Sequence, residues 1–162
     1  INIPEKRYAV LIGKGGEIKR GIEERTHVRI NLDEEIAVEG DAINVMEAEN
    51  IIRAIGRGFS PQNAFDLMNE DFTLIIILLP KNEKTLRRVS ARIIGTKGKT
   101  KKNIELLTDC KLSIYGKTVS IIGEYENAGV ARQAIEKLIE GFSHRSVYAF
   151  LEKEKAKPRR YI

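Results

Sequence analysis

Ile12-Gly13-Lys14-Gly15-Gly16 recurs as Ile94-Gly95-Thr96-Lys97-Gly98, displaced by 82 residues. Ile22-Glu23 matches Ile104-Glu105 and Thr26 matches Thr108 at that displacement. One added residue moves the register to 83, where Gly40 matches Gly123, Asn44 matches Asn127, Ala48 matches Ala131 and Ile52 matches Ile135. Gly58-Phe59-Ser60 then matches Gly141-Phe142-Ser143. A register kept over so many positions identifies two copies of one unit.

The patterning gives both copies the same element order. A leading strand is expected at residues 1–3, apparently clipped, and at 72–79, ended by Pro4 and Pro80. A short helix reaches each glycine loop, and a second helix follows with Ile18 and Ile22, or Ile104 and Leu107, on its apolar face. Two alternating strands come next. Val28, Ile30 and Leu32 share a face, as do Cys110, Leu112 and Ile114. Residues 36–39 and 118–122 supply the last strands, closed by Gly40 and Gly123. A long amphipathic helix ends each unit, through Val45, Ala48, Ile51, Ile52 and Ile55, then Val130, Ala134, Ile135, Leu138 and Ile139. Helices therefore cover one face of a three-stranded antiparallel sheet, twice. Ser60-Pro61 starts an appended helix by N-cap logic, and Ala64, Phe65, Leu67 and Met68 align with Val147, Tyr148, Phe150 and Leu151. These appended helices are expected to pack the units together in pseudo-twofold fashion. The boundaries implied are 1–58 for the first unit, 59–70 for a connecting helix, 71–142 for the second unit and 143–162 for a C-terminal helix and basic tail, fraying from Lys153 to Arg160.

Bulk composition agrees with two small folded units. Hydrophobic residues are 42% and charged residues 31% of the 162, enough to bury cores. Cys110 is alone, so no internal disulfide forms, and with only His27 and His144 no zinc ligand set has the usual spacing. Charges in residues 1–11 exclude a signal peptide there, and the longest apolar run, residues 74–79, is too short for a bilayer. A cytoplasmic location without membrane contact is expected. Residues 1–70 hold 9 Lys/Arg and 13 Asp/Glu, net −4, whereas residues 71–162 hold 19 and 10, net +9. The second unit is the one suited to an anionic partner.

Nucleotide-binding rivals fail on spacing. A P-loop ending at Gly98-Lys99-Thr100 needs glycine at Ile93, and a dinucleotide fingerprint from Gly13 needs glycine at Ile18. A plain helix–turn–helix loop explains one copy, but not two of equal placement, each followed by basic residues. A loop whose end residues lack Cβ atoms lets a nucleic-acid backbone approach, and the amides opening the next helix favour phosphate. Residues 81–102 carry nine basic side chains against Glu83 alone, while residues 5–20 carry five against Glu5 and Glu17. The second loop should supply most of the electrostatic affinity.

These units resemble the KH family, whose groove clamps about four single-stranded nucleotides. The resemblance implies an α+β chain of two tandem type I KH domains. Each has a three-stranded antiparallel sheet with three helices, and an appended helix follows each. The run from Arg92 to Lys102, with Ile104-Glu105, Thr108, residues 119–123, Ala131-Arg132, Ala134-Ile135, Leu138-Ile139-x-Gly141 and Val147-Tyr148, further resembles the "partner of Nob one" family. That implies an archaeal small-subunit ribosome assembly factor. It would bind near the 3′ end of small-subunit ribosomal RNA within the pre-small subunit, and work with the Nob-type endonuclease without being a nuclease. Eukaryotic members lack the first glycine loop, which is intact here. RNA contacts carry over to Gly95, Thr96, Lys97, Gly98, Lys99, Lys101 and Lys102, with Arg92 and Ile94 beside them. The first loop offers Gly13, Lys14, Gly15 and Gly16, flanked by Ile12 and Lys19.

No catalytic set, metal site or cofactor is expected. Asp33-Glu34-Glu35 falls where two strands turn, Cys110 alternates with core residues, and both histidines fall at element ends. The competing function is a protein-interaction adaptor that uses the KH fold as scaffold, suggested by the acidic first unit and the apolar appended helices.

Overall fold

The computed structural model describes residues 1–158. The first unit opens with a 3-10 turn, Glu5–Arg7, which leads into α1 (Tyr8–Ile12) and, past the glycine loop, α2 (Glu17–Thr26). β1 (Arg29–Asn31) and β2 (Ala37–Glu39) pair antiparallel, and α3 (Ala42–Gly56) closes the unit. α4 (Pro61–Ala64) and a 3-10 turn (Phe65–Met68) lead to β3 (Phe72–Leu78). The second unit continues with α5 (Glu83–Ile94), α6 (Lys99–Thr108), β4 (Lys111–Tyr115), β5 (Thr118–Glu124) and α7 (Tyr125–Glu140). α8 (His144–Ala156) is appended to it.

Local chemistry sets these boundaries. Asn82, Ser60 and Ser143 cap the starts of α5, α4 and α8, accepting from Thr85 N, Asn63 N and Ser146 N at 3.1, 3.2 and 3.1 Å. α2 and α6 stop where His27 and Asp109 turn left-handed, at φ 58° and 54°. α8 runs through Lys153 to Ala156, so residues 153–156 are helical and not frayed as expected; Arg159 and Arg160 lie outside the described residues.

The second sheet has the order β3-β5-β4, antiparallel throughout. Phe72 faces Glu124 and Leu78 faces Thr118 across one ladder, while Leu112 faces Ile121 across the other. β5 is the middle strand and is buried on both faces. Val119 and Ile121 enter a core with Ile77, Val89, Ile93, Ile104, Ile135 and Leu138. Ile122 points the other way, into the first unit's core of Leu11, Ile22, Ile30, Ile51, Ile52, Ile55 and Phe59. The first unit thus lies on the outer face of the second unit's sheet.

Two expectations change. The first sheet has two strands, β1-β2, among the described residues. The three residues ahead of Pro4 form no ladder: the Ile1 amino group donates to Ile36 O at 3.2 Å, and Ile3 packs over Gly56. The appended helices also play unequal parts. Leu67, just after α4, is buried in the core that receives Ile122, and Asp66 pairs with Lys111 at 2.6 Å, so this piece does bridge the units. α8 instead buries Val147 and Leu151 in its own unit, against α6 and α7, because the outer face of that unit's sheet is already covered.

A polar network fixes the seam. Arg57 Nη1 donates to Thr118 Oγ1 at 3.1 Å, and Ser113 Oγ donates to Arg57 O at 2.7 Å. Arg7 and Arg57 both stack on the Tyr115 ring, each 5.7 Å from its centroid. Gly58 is required here: at φ +99° its Cβ would sit 2.5 Å from Ser113 Oγ.

Candidate nucleic-acid interface

Both glycine loops have one conformation. Gly13 and Gly95 have φ/ψ of 74°/177° and 76°/170°, while Gly16 and Gly98 have 80°/13° and 74°/15°. Between them Gly15 (60°, 21°) is matched by Lys97 (56°, 28°). Lys97 thus keeps a left-handed backbone that glycine adopts freely, at a cost of about 1–2 kcal/mol.

The two glycines of a loop answer different needs. A Cβ on Gly95 would lie 2.2 Å from Thr100 Oγ1, and one on Gly13 would lie 2.4 Å from Ile18 Cγ1. The first glycine therefore lets the loop fold against its following helix. Gly98 has nothing within 4 Å of its Cβ position. It opens α6 as N-cap without any side-chain cap, so the positive end of α6 faces outward, while the Lys99 amide donates to Thr96 O and the Gly98 amide to Gly95 O. Thr96, Lys97, Lys99 and Lys102 are exposed around that opening.

A groove runs beside each loop. Ile94 and Ile12 face the solvent at matched positions, 38% and 37% exposed. Lys101 pairs with Glu105 at 3.8 Å, and Glu105 accepts from Leu112 N on β4 at 3.0 Å. Lys19 pairs with Glu23 at 3.5 Å, and Glu23 accepts from Ile30 N on β1 at 2.9 Å. The helix-to-strand tie is therefore repeated in both units. The second groove holds a cavity of about 380 Å³ lined by Ile94, Lys101, Leu112, Ser113 and Ile114, with Gly58, Phe59, Ser60 and Asn63 of the first unit. The first groove is lined by Lys19, Glu23 and residues 29–33 alone.

Most of the predicted site residues come together. Residues 94–99 with Lys101 and Lys102 surround the second loop and groove, and Ile12, residues 13–16 and Lys19 surround the first. Arg92 does not face the groove. Its Nε donates to Leu138 O at 3.4 Å and its Nη2 to Phe142 O, so it ties down the end of α7. The first loop carries a contact of its own, since Arg20 Nη1 donates to Gly15 O at 2.7 Å. Behind the second loop, Arg88, Arg92, Lys99 and His144 line a further cavity. The matching cleft in the first unit carries Glu17 and Asp66 beside Arg25, so the charge contrast between units extends here.

The groove contribution of Gly58, Phe59, Ser60 and Asn63 has no sequence signal, because it depends on how one unit sits on the other. Asp33, Glu34 and Glu35 form an exposed turn, and no metal-holding cluster occurs among the described residues. Cys110 is buried, and burial pushes its thiol up to about 11. His27 and His144 lie at helix ends. None of the helices is long and apolar enough to cross a membrane among the described residues.

Comparison with known proteins gives this geometry a context. A family model described as eukaryotic type KH-domain (KH-domain type I) matches residues 74–156, and one described as KH domain matches residues 1–54. A KH domain-containing protein of Methanocaldococcus jannaschii is 38% identical, over 99% of this chain and 75% of its own length. Dim2p from Pyrococcus horikoshii is 45% identical with TM-score 0.86, covering 94% of this chain and 96% of that one. A chain of the a/eIF2alpha–aDim2p–rRNA complex from the same organism is 45% identical with TM-score 0.88, covering 96% and 92%. A protein of unknown function from Aeropyrum pernix is 35% identical with TM-score 0.92, covering 96% and 88%.

Proposed function

The chain belongs to the Dim2p, or partner-of-Nob-one, family of KH-domain proteins, and on that premise we propose that it is an RNA-binding ribosome-biogenesis factor. Its ligand is single-stranded RNA near the 3′ end of small-subunit ribosomal RNA, and it acts in the cytoplasm on the pre-small subunit, beside a Nob-type endonuclease. It performs no chemistry itself. The carrying observation is the second loop: a glycine loop open at Gly98, ringed by Thr96, Lys97, Lys99, Lys101 and Lys102, in a family with an rRNA-bound relative.

In this reading Gly95, Thr96, Lys97 and Gly98 hold phosphate at the positive end of α6, with Lys99 and Lys102 adding charge. Ile94 supports a base and Lys101 lies along the groove. Ile12, Gly13, Lys14, Gly15, Gly16 and Lys19 form an auxiliary clamp. Arg92 supports the site by holding the end of α7. A labelled RNA with the sequence of the small-subunit 3′ end should bind with a log–log salt slope of about −2 to −4, from three to five phosphates at about −0.7 each. Binding that ignores salt would refute the proposal.

The adaptor reading has one observation in its favour. Ile43 and Met46 on α3 are 80% and 66% exposed, in the unit with acidic balance. It predicts a protein partner retained after ribonuclease treatment, and retained equally by a variant carrying Thr96→Asp and Lys97→Asp.

A further inference from the structure

We infer that the seam between the units is a base-reading subsite, in which Asn63 addresses an adenine held in the second groove. This rests on the RNA-binding reading above and extends it from phosphate to base.

The groove's floor and walls come from two units. Ile94 and Lys101 form one side and Leu112, Ser113 and Ile114 the other, while Gly58, Phe59, Ser60 and Asn63 close an end. The first groove is built only from its own unit. A strand leaving the second loop along this cavity therefore meets first-unit side chains before it can leave.

The polar groups lining the cavity are mostly engaged. Lys101 faces Glu105, which also holds Leu112 N. Ser113 Oγ donates to Arg57 O, and Ser60 Oγ accepts from Asn63 N. The Asn63 carboxamide makes no hydrogen bond to the described residues and is half-buried. It presents a donor beside an acceptor, the pair that matches an adenine edge. Ile94 and Ile114 offer aliphatic surface for the ring. Asn63 is also held in place. Ser60 and Pro61 start its helix, and Gly58 allows the close approach to Ser113 and Tyr115. The cap fixes the Asn63 backbone, and the packed seam sets that backbone at the groove end, so the free carboxamide projects from a rigid base.

The test is selection of the whole protein against a randomised single-stranded RNA pool. Wild type should enrich adenine at one position of the bound motif. Asn63→Ala should reduce discrimination at that position by about 5- to 100-fold and leave the other positions as they were. Asn63→Asp, which offers acceptors only, should move the preference there towards guanine, whose Watson–Crick edge sets two donors side by side. Two substitutions at one half-buried position keep the experiment readable if either protein is unstable. If both variants keep the wild-type preference at every position, the seam inference falls while RNA binding stands. If wild type retains no RNA at all, the RNA-binding reading falls and takes the inference with it.

Discussion

Gly95 and Gly98 look alike in sequence and differ in what they must satisfy. Gly95→Ala drives a Cβ to 2.2 Å from Thr100 Oγ1 at positive φ, so it should cost about 1–3 kcal/mol of stability by denaturant unfolding. Gly98→Ala meets only backbone strain, about 1 kcal/mol, and its larger effect should be on RNA affinity, because it blocks the open approach to α6. Lys97→Gly should relieve strain and raise the melting temperature, yet weaken RNA binding through the lost charge. The spacing of the glycines was legible in the sequence. Which glycine serves packing was not, because that depends on where Thr100 lies. Cys110 was legible as a core residue from its alternation. Its thiol, pushed up to about 11 by burial, is the harder to ionise in the folded state. Between about pH 9 and 11 the unfolded chain therefore holds fewer protons at this site, and stability falls as pH rises. Wild type should lose about 1 kcal/mol per pH unit more than Cys110→Ala there, read from urea midpoints at matched pH.

At the scale of elements, each long helix ends under an arginine clamp. Arg7 donates to Ile55 O and Phe59 O at 2.7 and 2.8 Å, and Arg92 donates to the corresponding Leu138 O and Phe142 O. The carbonyls correspond at displacement 83, but the arginines do not correspond, since Arg7 lies six residues before its loop glycine and Arg92 three before its own. The repeat therefore exposed the helices and hid the clamps. Arg92→Ala should lower stability by about 0.5–1.5 kcal/mol, by removing the bonds to Leu138 O and Phe142 O. It should weaken RNA binding less than Lys97→Asp does, as read by titration under conditions where both variants are folded. The element order was legible because period-2 and period-3.6 patterns alternate cleanly between glycine stops. That residues 1–3 pack on α3 and form no ladder among the described residues was not legible, since Ile1 and Ile3 are apolar in either arrangement.

Across the whole molecule, two copies of one unit are built unequally. Both keep the loop dihedrals and the Lys–Glu tie from helix to strand. The second adds a dense basic surround and a groove end supplied by its neighbour, while the first carries Arg20 folded across its loop and an acidic cleft behind it. The charge asymmetry was legible from counting residues. The shared groove was not, because it arises from the first unit resting on β5 through Ile122. The most direct test of this asymmetry is RNA affinity at one salt concentration for two double variants. Thr96→Asp with Lys97→Asp should cost at least about tenfold more affinity than Lys14→Asp with Gly15→Asp. Equal losses, or a larger loss from the first loop, would contradict the assignment of the second loop as the main clamp.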